Sequence, residues 1–216
     1  MCDGYNGTMW TVPNILTLLR IFLIPVFVGV FYLPMGWARV GCALIFALAG
    51  ITDWLDGHLA RKWNQTTPLG AFLDPVADKL MVAVALVLLV QAEPYAALAV
   101  PAAIIIGREI TISALREWMA ELGARGRVAV SIIGKFKTTA QMVAITLLLY
   151  GDDLLGLPLY RIGMLLLYVA ALLTLWSMVV YLKAAWPSLH GTPEMWDVGS
   201  KGVEREPAEK NQVKRP

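Results

Sequence analysis

Six long apolar stretches alternate with short polar connections along the chain. They cover about residues 14–32, 37–60, 70–91, 95–114, 131–150 and 159–183. Each is close to the roughly 20 apolar residues that a helix needs to cross the hydrocarbon core of a bilayer. The pattern predicts an all-α polytopic membrane protein with six transmembrane helices. Pro25 falls inside the first stretch, where it would kink the helix without ending it, because transmembrane helices tolerate proline.

Composition supports a membrane protein over a soluble one. Of the 216 residues, 58% are hydrophobic and only 16% are charged, whereas soluble domains carry about 25% charged residues. A soluble all-α protein with an unusually apolar core is the alternative, and the length of the apolar stretches disfavours it. Cys2 and Cys42 are too few and too far apart for a disulfide framework or a metal-ligand cluster.

Lysine and arginine are distributed unevenly over the connections between the apolar stretches. One side collects Arg61, Lys62, the cations of residues 108–137 and the tail from Lys183, whereas the other holds Arg39 and Arg161 beside acidic loops. The positive-inside bias places both termini in the cytoplasm. We therefore expect a short cytoplasmic segment at 1–12, a six-helix transmembrane domain at 13–185 and a polar cytoplasmic tail at 186–216.

Four aspartates are concentrated in "DWLDGHLARKWNQTTPLGAFLDPVADK", residues 53–79. Asp53 and Asp56 are three residues apart and Asp74 and Asp78 are four apart, so each pair lies on one face of a helix. The short connection between the second and third apolar stretches makes those helices antiparallel neighbours, and the two pairs should converge. Pro68 suits the start of the third helix, and we expect Pro75 in its first turn, where a missing N–H costs little.

Converging carboxylates at a membrane edge need positive charge nearby, because an unpaired one costs several kcal/mol at least. Arg61, Lys62 and Lys79 offset part of this charge, but Mg²⁺ or Mn²⁺ prefers such oxygen ligands. Two ions about 4 Å apart would form a clamp for displacement at phosphorus. Alternatively, the aspartates cap helices and pair with Arg61 and Lys79 in a solvated loop. Ion-coupled transport would instead predict acids near mid-bilayer.

The same stretch resembles the signature of the CDP-alcohol phosphotransferase family, D-x2-D-G-x2-A-R-x8-G-x3-D-x3-D. The fixed positions are Asp53, Asp56, Gly57, Ala60, Arg61, Gly70, Asp74 and Asp78. The resemblance implies the six-helix CDP-alcohol phosphotransferase fold, with a catalytic membrane domain that transfers a phospho-group from a CDP-linked donor to an alcohol and releases CMP.

The resemblance also implies a role for each fixed position. Asp53, Asp56 and Asp74 would hold two Mg²⁺ or Mn²⁺ ions, and Asp78 would bind metal or act as the catalytic base on the acceptor hydroxyl. The CDP-linked donor would be bound by Asp56, Gly57, Ala60, Arg61 and Gly70.

A second polar group lies in "GREITISALREWMAELGARGRVAVSIIGKFKTTAQ", residues 107–141. Arg108 and Lys135 lie inside or at the edge of apolar stretches, where a cation needs a reason to be present. We expect these two, with Arg116 and Lys137, to bind an anionic group of the acceptor, since cationic clamps orient phosphates. For Arg116 an ion pair with Glu109, Glu117 or Glu121 is an equal alternative.

The stretches "PNILTLLRIFLIP", "REITISALREW" and "GKFKTTAQ" resemble bacterial members of the family whose donor is CDP-diacylglycerol and whose acceptor is sn-glycerol 3-phosphate. This resemblance spans most of residues 13–183. It implies transfer of the phosphatidyl group to the 1-hydroxyl of the acceptor, giving phosphatidylglycerol phosphate.

The resemblance further implies a bacterial inner-membrane location with a cytoplasmic active site. Its expected partners are membrane lipids and a second copy in a homodimer, without nucleic acid. The alternatives are another acceptor, such as inositol phosphate or a phospholipid, and two different classes, an ion-coupled transporter and a structural membrane protein.

Overall fold

Six α-helices account for nearly all of the described chain. The structure is a computed structural model and describes residues 12–63, 68–121, 132–154 and 156–189. The helices are α1 Val12–Phe31, α2 Ala38–Trp63, α3 Pro68–Ala92, α4 Ala96–Glu121, α5 Ile132–Tyr150 and α6 Leu159–Leu189. Each predicted apolar stretch therefore forms one helix. The described residues contain no strand beyond one isolated bridge between Leu154 and Leu157.

Prolines mark the start of α3 and lie inside α1 and α3. Pro68 is the first residue of α3, as predicted, and Pro25 lies inside a continuous α1. The prediction for Pro75 was wrong, because α3 begins seven residues before it and Pro75 lies in the helix interior. There the missing N–H leaves the carbonyl of residue 71 without its usual helical partner. This local weakening of α3 falls directly beside Asp74.

One core joins all six helices. Helices α1, α2 and α3 pack on one another, α4 and α5 both pack on α6, and contacts of α2 with α5 and of α3 with α4 join the two groups. Each helix contributes a wholly buried side chain to the same cluster: Phe27, Phe46, Leu86, Ile105, Ile145 and Leu167. The two groups of helices therefore form one packed unit.

Three polar contacts gather the loops that follow α1, α3 and α5 on one side of the bundle. Tyr32 donates to Gln91 at 2.5 Å, and Tyr160 donates to Glu93. Exposed Arg39 and Asp152 approach to 3.6 Å. These residues flank the α1–α2, α3–α4 and α5–α6 connections, which are every second connection of the bundle. Neighbouring helices therefore run in alternating directions.

The outer surface of the bundle is apolar. Large side chains such as Phe22, Phe72, Ile110, Leu165 and Leu172 are each about two-thirds exposed. By length and composition, Asn14–Phe31, Ala96–Met119 and Leu159–Lys183 could each cross a membrane. Such a surface fits lipid and disfavours the soluble alternative. Residues 1–11 and 190–216, and with them most of the predicted terminal segments, lie outside the described residues.

Candidate active site

A buried polar face runs along the otherwise apolar helix α1. Asn14, Thr17 and Arg20 follow one another at intervals of three residues, and their exposed fractions are 2%, 0% and 1%. Side chains at this spacing lie on the same side of a helix. Helix α1 packs on both α2 and α3, so this face is turned toward the two helices that carry the aspartates.

The guanidinium of Arg20 joins the two aspartate-bearing helices. Its Nη1 donates to Oδ1 of Asp53 on α2 at 2.8 Å, and it also donates to Oδ1 of Asp78 on α3. Charge-assisted bonds of this kind are about twice as strong as neutral ones. The predicted convergence of the two aspartate pairs is therefore present for Asp53 and Asp78, with a cation between them.

Asp74 is held by the same face of α1. The hydroxyl of Thr17 donates to Oδ1 of Asp74, one turn before Asp78 on α3. Three of the four predicted metal ligands thus lie around two adjacent side chains of α1. The pairing with Lys79 that the solvated-loop alternative required is not among the ion pairs of the described residues.

The aspartates lie well away from the helix ends. Asp53 is ten residues before the last residue of α2, and Asp78 is ten residues after the first residue of α3. At a rise of 1.5 Å per residue, both helices continue about 15 Å beyond these carboxylates. The carboxylates therefore lie farther from the helix ends than the apolar boundaries of the sequence suggested, because α2 ends at Trp63 and α3 begins at Pro68.

Several predicted site residues lie outside the described side chains. Asp56, Gly57, Ala60 and Arg61 belong to the last turns of α2, and Lys135 belongs to the first turn of α5. Their predicted roles as metal, donor and acceptor ligands stay predictions. Gly70 is described, and it is buried in the first turn of α3, two turns before Asp78.

The donor atoms at this site suit a hard divalent cation. Asp53 and Asp78 keep 40% and 44% of their side chains exposed despite their bonds to Arg20, so carboxylate surface remains open to a ligand. Carboxylate oxygens are the ligands that Mg²⁺ and Mn²⁺ prefer. Among the side chains that the structure describes, no three acidic, histidine or cysteine residues form a complete metal cluster. The fourth carboxylate, Asp56, lies outside that set.

A cavity of about 610 Å³ opens from the aspartates between α2, α3 and α5. Its polar lining is formed by Arg20, Asp53, Asp78, Thr138, Thr139 and Thr146, and the hydroxyl of Thr146 donates to the carbonyl oxygen of Met142 in its own helix. The apolar lining includes Ala47, Gly50, Ile51, Met81, Val82, Met142, Val143 and Leu147. On α2 the lining extends from Asp53 back to Ala47, about 9 Å at the helical rise, and on α5 from Thr138 to Leu147, about 14 Å. The cavity therefore has a charged end and a longer apolar end.

The predicted acceptor cations meet around one acid. Glu109 on α4 accepts from Nη1 of Arg108 at 2.7 Å and from Nζ of Lys137 on α5 at 3.3 Å. Arg108 also donates to Ser177 of α6 at 3.1 Å. Arg108 and Lys137 are only 8% and 3% exposed. The structure thus brings two of the four predicted cations together, with a carboxylate already between them.

Arg116 joins this cluster through an aromatic ring. It lies over Tyr181 of α6 with its guanidinium carbon 5.5 Å from the ring centroid, and Arg108 lies 5.9 Å from the same ring. The sequence left two alternatives for Arg116, binding of the acceptor and an ion pair with a nearby glutamate. Among the described side chains Arg116 forms no ion pair with Glu109 or Glu117. The third candidate, Glu121, lies outside the described side chains. Lys137 directly precedes Thr138 and Thr139, which line the cavity. The cationic cluster is therefore next to the charged end of the cavity without lining it.

Arg20 and Thr17 are the site residues that were not predicted from the sequence. Arg20 could have been predicted as a site residue from the sequence, because it is a cation inside an 18-residue apolar segment. Such a cation needs a polar partner, which is the argument that was applied to Arg108. Its spacing from Asn14 and Thr17 would have placed all three on one face of the first helix.

Comparison with known proteins gives one consistent family. The sequence profile of the CDP-alcohol phosphatidyltransferase family matches residues 10–176. Proteins named CDP-diacylglycerol–glycerol-3-phosphate 3-phosphatidyltransferase from Salmonella typhimurium and Pectobacterium atrosepticum are each 58% identical over 176 residues, which are 82% of this chain and 95% of theirs. The protein of the same name from Sodalis glossinidius is 60% identical over 175 residues, 81% of this chain and 94% of its own.

Proposed function

Because the chain belongs to the CDP-alcohol phosphatidyltransferase family, we propose that it transfers the phosphatidyl group of CDP-diacylglycerol to the 1-hydroxyl of sn-glycerol 3-phosphate. The products are phosphatidylglycerol phosphate and CMP. Relatives that share more than half of the aligned residues over nearly their whole length carry this activity in their names. The protein is accordingly a transferase of phospholipid biosynthesis.

The shape of the cavity is the observation that carries this proposal. Its charged end contains two carboxylates and Arg20, and its longer end is lined mostly by aliphatic and methionine side chains, with Thr146 among them. CDP-diacylglycerol has the same division, with a cytidine diphosphate headgroup and acyl chains. We place the phosphorus that is attacked at the aspartates and an acyl chain along α2 and α5.

We further propose that all six helices span the bilayer, with the aspartates nearer the cytoplasmic side. The apolar end of the cavity extends away from the α2–α3 connection, whose flanking residues include Arg61 and Lys62. The positive-inside bias puts that connection in the cytoplasm. Glycerol 3-phosphate and the cytidine headgroup would then arrive from water while the acyl chains stay in lipid. The bacterial inner membrane is the proposed location.

Asp78 is the proposed base of the transfer. It lines the cavity and is nearly half exposed, so an acceptor hydroxyl can reach it. Asp78 takes the proton of that hydroxyl, and the hydroxyl oxygen forms a bond to the phosphorus that carries diacylglycerol. The bond from this phosphorus to the bridging oxygen breaks, and CMP leaves with the electron pair. General-base assistance of this kind contributes about 10²–10⁴ in rate.

We propose that Asp53, Asp56, Asp74 and Asp78 hold two Mg²⁺ or Mn²⁺ ions. When bound, the ions would neutralise the pyrophosphate and the departing CMP. The protein's own contribution is to aim the carboxylates, with Thr17 holding Asp74 and Arg20 holding Asp53. Gly57, Ala60, Arg61 and Gly70 would shape the surrounding donor site.

The acceptor phosphate is assigned to Arg108, Arg116, Lys135 and Lys137. Two of these cations flank Glu109, and the cluster adjoins the cavity at Thr138. Charged donors in a fixed arrangement would hold the phosphate and so present the 1-hydroxyl to Asp78. A homodimer, as the family resemblance implies, is also part of the proposal.

The decisive experiment measures CMP release by the purified protein in lipid nanodiscs. CDP-diacylglycerol is supplied with glycerol 3-phosphate, inositol phosphate, glycerol or no acceptor, with Mg²⁺ or Mn²⁺ present or removed by a chelator. We expect release only with glycerol 3-phosphate and metal, and recovery when metal is added back. Equal CMP release with inositol phosphate would contradict glycerol 3-phosphate as the specific acceptor. Undiminished CMP release after chelation would contradict the proposed metal dependence.

A further inference from the structure

Arg20 is the most deeply buried cation of the described chain, and it lies against the reacting end of the cavity. Only 1% of it is exposed, although it belongs to an apolar helix segment of 18 residues. An isolated charge in that position would be costly. Its bonds to Asp53 and Asp78 supply the compensation, and they also give each carboxylate a fixed partner.

The two bonds make Arg20 a link between three helices. Both aspartates contact the same atom, Nη1, whose two hydrogens diverge in the plane of the guanidinium. The oxygens of Asp53 on α2 and Asp78 on α3 are therefore held a fixed distance apart by a rigid group of α1. Without that group, two carboxylates this close would repel each other.

Charge gives Arg20 a second effect at the same place. One guanidinium beside two carboxylates lowers their combined charge from −2 to −1. A divalent cation that approached these oxygens would be repelled by a neighbouring positive charge over a short distance. Arg20 should thus weaken metal binding while it improves the geometry of the metal ligands.

We propose that Arg20 is a positioning residue of the transferase, which fixes Asp53 and Asp78 for turnover and lowers the affinity of their site for the divalent cation. The inference rests on the proposed function, since it concerns the same aspartates. It predicts an unusual pair of effects, because removal of the guanidinium should strengthen metal binding and weaken catalysis.

A purely structural cation would behave differently. If Arg20 served only to hold α1 against α2 and α3, its replacement would loosen the bundle, and metal affinity and turnover would fall together with Tm. Opposite changes in metal affinity and turnover separate the two roles.

The test compares Arg20→Met, Arg20→Lys and Arg39→Met with the wild-type enzyme in nanodiscs. Arg39→Met is the matched control, since Arg39 is an exposed arginine on the opposite side of the bundle. Binding of Mn²⁺ is followed by electron paramagnetic resonance without substrates, and kcat and KM are measured from CMP release. Thermal unfolding of each variant reports the integrity of the fold.

For Arg20→Met we expect Mn²⁺ to bind at least about fivefold more tightly and kcat to fall at least about tenfold. Arg20→Lys keeps the charge on a shorter and less rigid group. It should bind Mn²⁺ within about twofold of the wild type and regain part of kcat. Arg39→Met should match the wild type in both.

Unchanged or weaker Mn²⁺ binding in Arg20→Met, or an unchanged kcat, would overturn the inference. If Arg20→Met does not fold, Arg20→Lys decides alone, and wild-type kcat in that variant would count against a positioning role. Failure of the proposed function gives a different result, in which wild-type enzyme binds Mn²⁺ but releases no CMP with glycerol 3-phosphate. A wild-type enzyme that bound no Mn²⁺ would overturn both.

Discussion

Lys137 of α5 donates to Glu109 of α4 at 3.3 Å, and both side chains belong to segments that were expected to bind the acceptor. Glu109 also accepts from Arg108. One carboxylate between two cations leaves a local excess of positive charge, which an incoming phosphate could neutralise. The ion pairs within the cluster thus favour a preformed anion site over a set of mobile surface charges.

Arg108→Ala and Lys137→Ala should each raise the KM for glycerol 3-phosphate about tenfold or more. A lost hydrogen bond to a charged group costs about 1.5–3 kcal/mol, and 1.4 kcal/mol is a factor of ten. Initial rates over a range of acceptor concentrations, at saturating CDP-diacylglycerol, measure the effect, with Arg39→Ala as the control. Unchanged KM in both variants would show that the acceptor binds elsewhere.

Asp78→Asn should reduce kcat by about 10²–10⁴, because the amide cannot accept the proton of the acceptor hydroxyl. The amide preserves the shape of the side chain and Asp53 still pairs with Arg20, so the variant should insert, with a lower Tm because the buried guanidinium loses one ion pair. CMP release in single-turnover experiments measures the loss. Asp152→Asn, on an exposed aspartate at the opposite side, should leave the rate unchanged. Wild-type turnover in Asp78→Asn would remove this residue from the base role.

Gly50→Leu should raise the KM for CDP-diacylglycerol. Gly50 lines the cavity, and a Cβ built on it lies 2.6 Å from the terminal methyl of Met142. A leucine would displace that flexible end and fill space assigned to an acyl chain. Kinetics with short-chain and long-chain donors measure the effect, which should be larger for the long chains.

Gly29→Leu is the control for this substitution, since nothing lies within 4 Å of a Cβ added at the exposed Gly29. Equal kinetics for both leucine variants would place the acyl chain outside the cavity.

Gly163→Ala should destabilise the contact between α5 and α6. An added Cβ lies 3.0 Å from Cγ of Leu148 and 3.2 Å from the carbonyl oxygen of Ala144. Overpacking costs about 1–3 kcal/mol, against a gain in helix propensity of about 1 kcal/mol. We expect a lower Tm in thermal unfolding, whereas Gly29→Ala, where only the propensity changes, should raise it. A higher Tm in both Gly163→Ala and Gly29→Ala would mean that α5 and α6 move apart at little cost to accommodate the added methyl group.

The helices could be predicted from the sequence because apolar stretches of bilayer length admit few other structures. The meeting of Asp53 and Asp78 was also predictable, since spacing and a short connection brought two faces together. The interior position of Pro75 was not predicted, because the helix already begins at Pro68 and the mostly apolar residues 69–73 extend α3 ahead of Pro75.

Contacts between distant segments could not be read from the sequence. Tyr181 lies 65 residues after Arg116, and no local pattern shows which of the several nearby acids or rings an arginine will contact. For Arg20 the apolar surroundings indicated that a polar partner exists. The identity of that partner depends on how α1 is rotated about its axis relative to α2 and α3. Tertiary packing decides that rotation.

The buried polar face of α1 has a consequence for recognising active homologues among gene fragments. A protein that began after residue 20 would still contain the whole aspartate signature and would pass any search based on that motif. It would nevertheless lack the Thr17 hydroxyl that donates to Asp74 and the Arg20 guanidinium that donates to Asp53. Such a fragment should have no transferase activity. Adding the first helix as a separate peptide would test whether the activity can be restored.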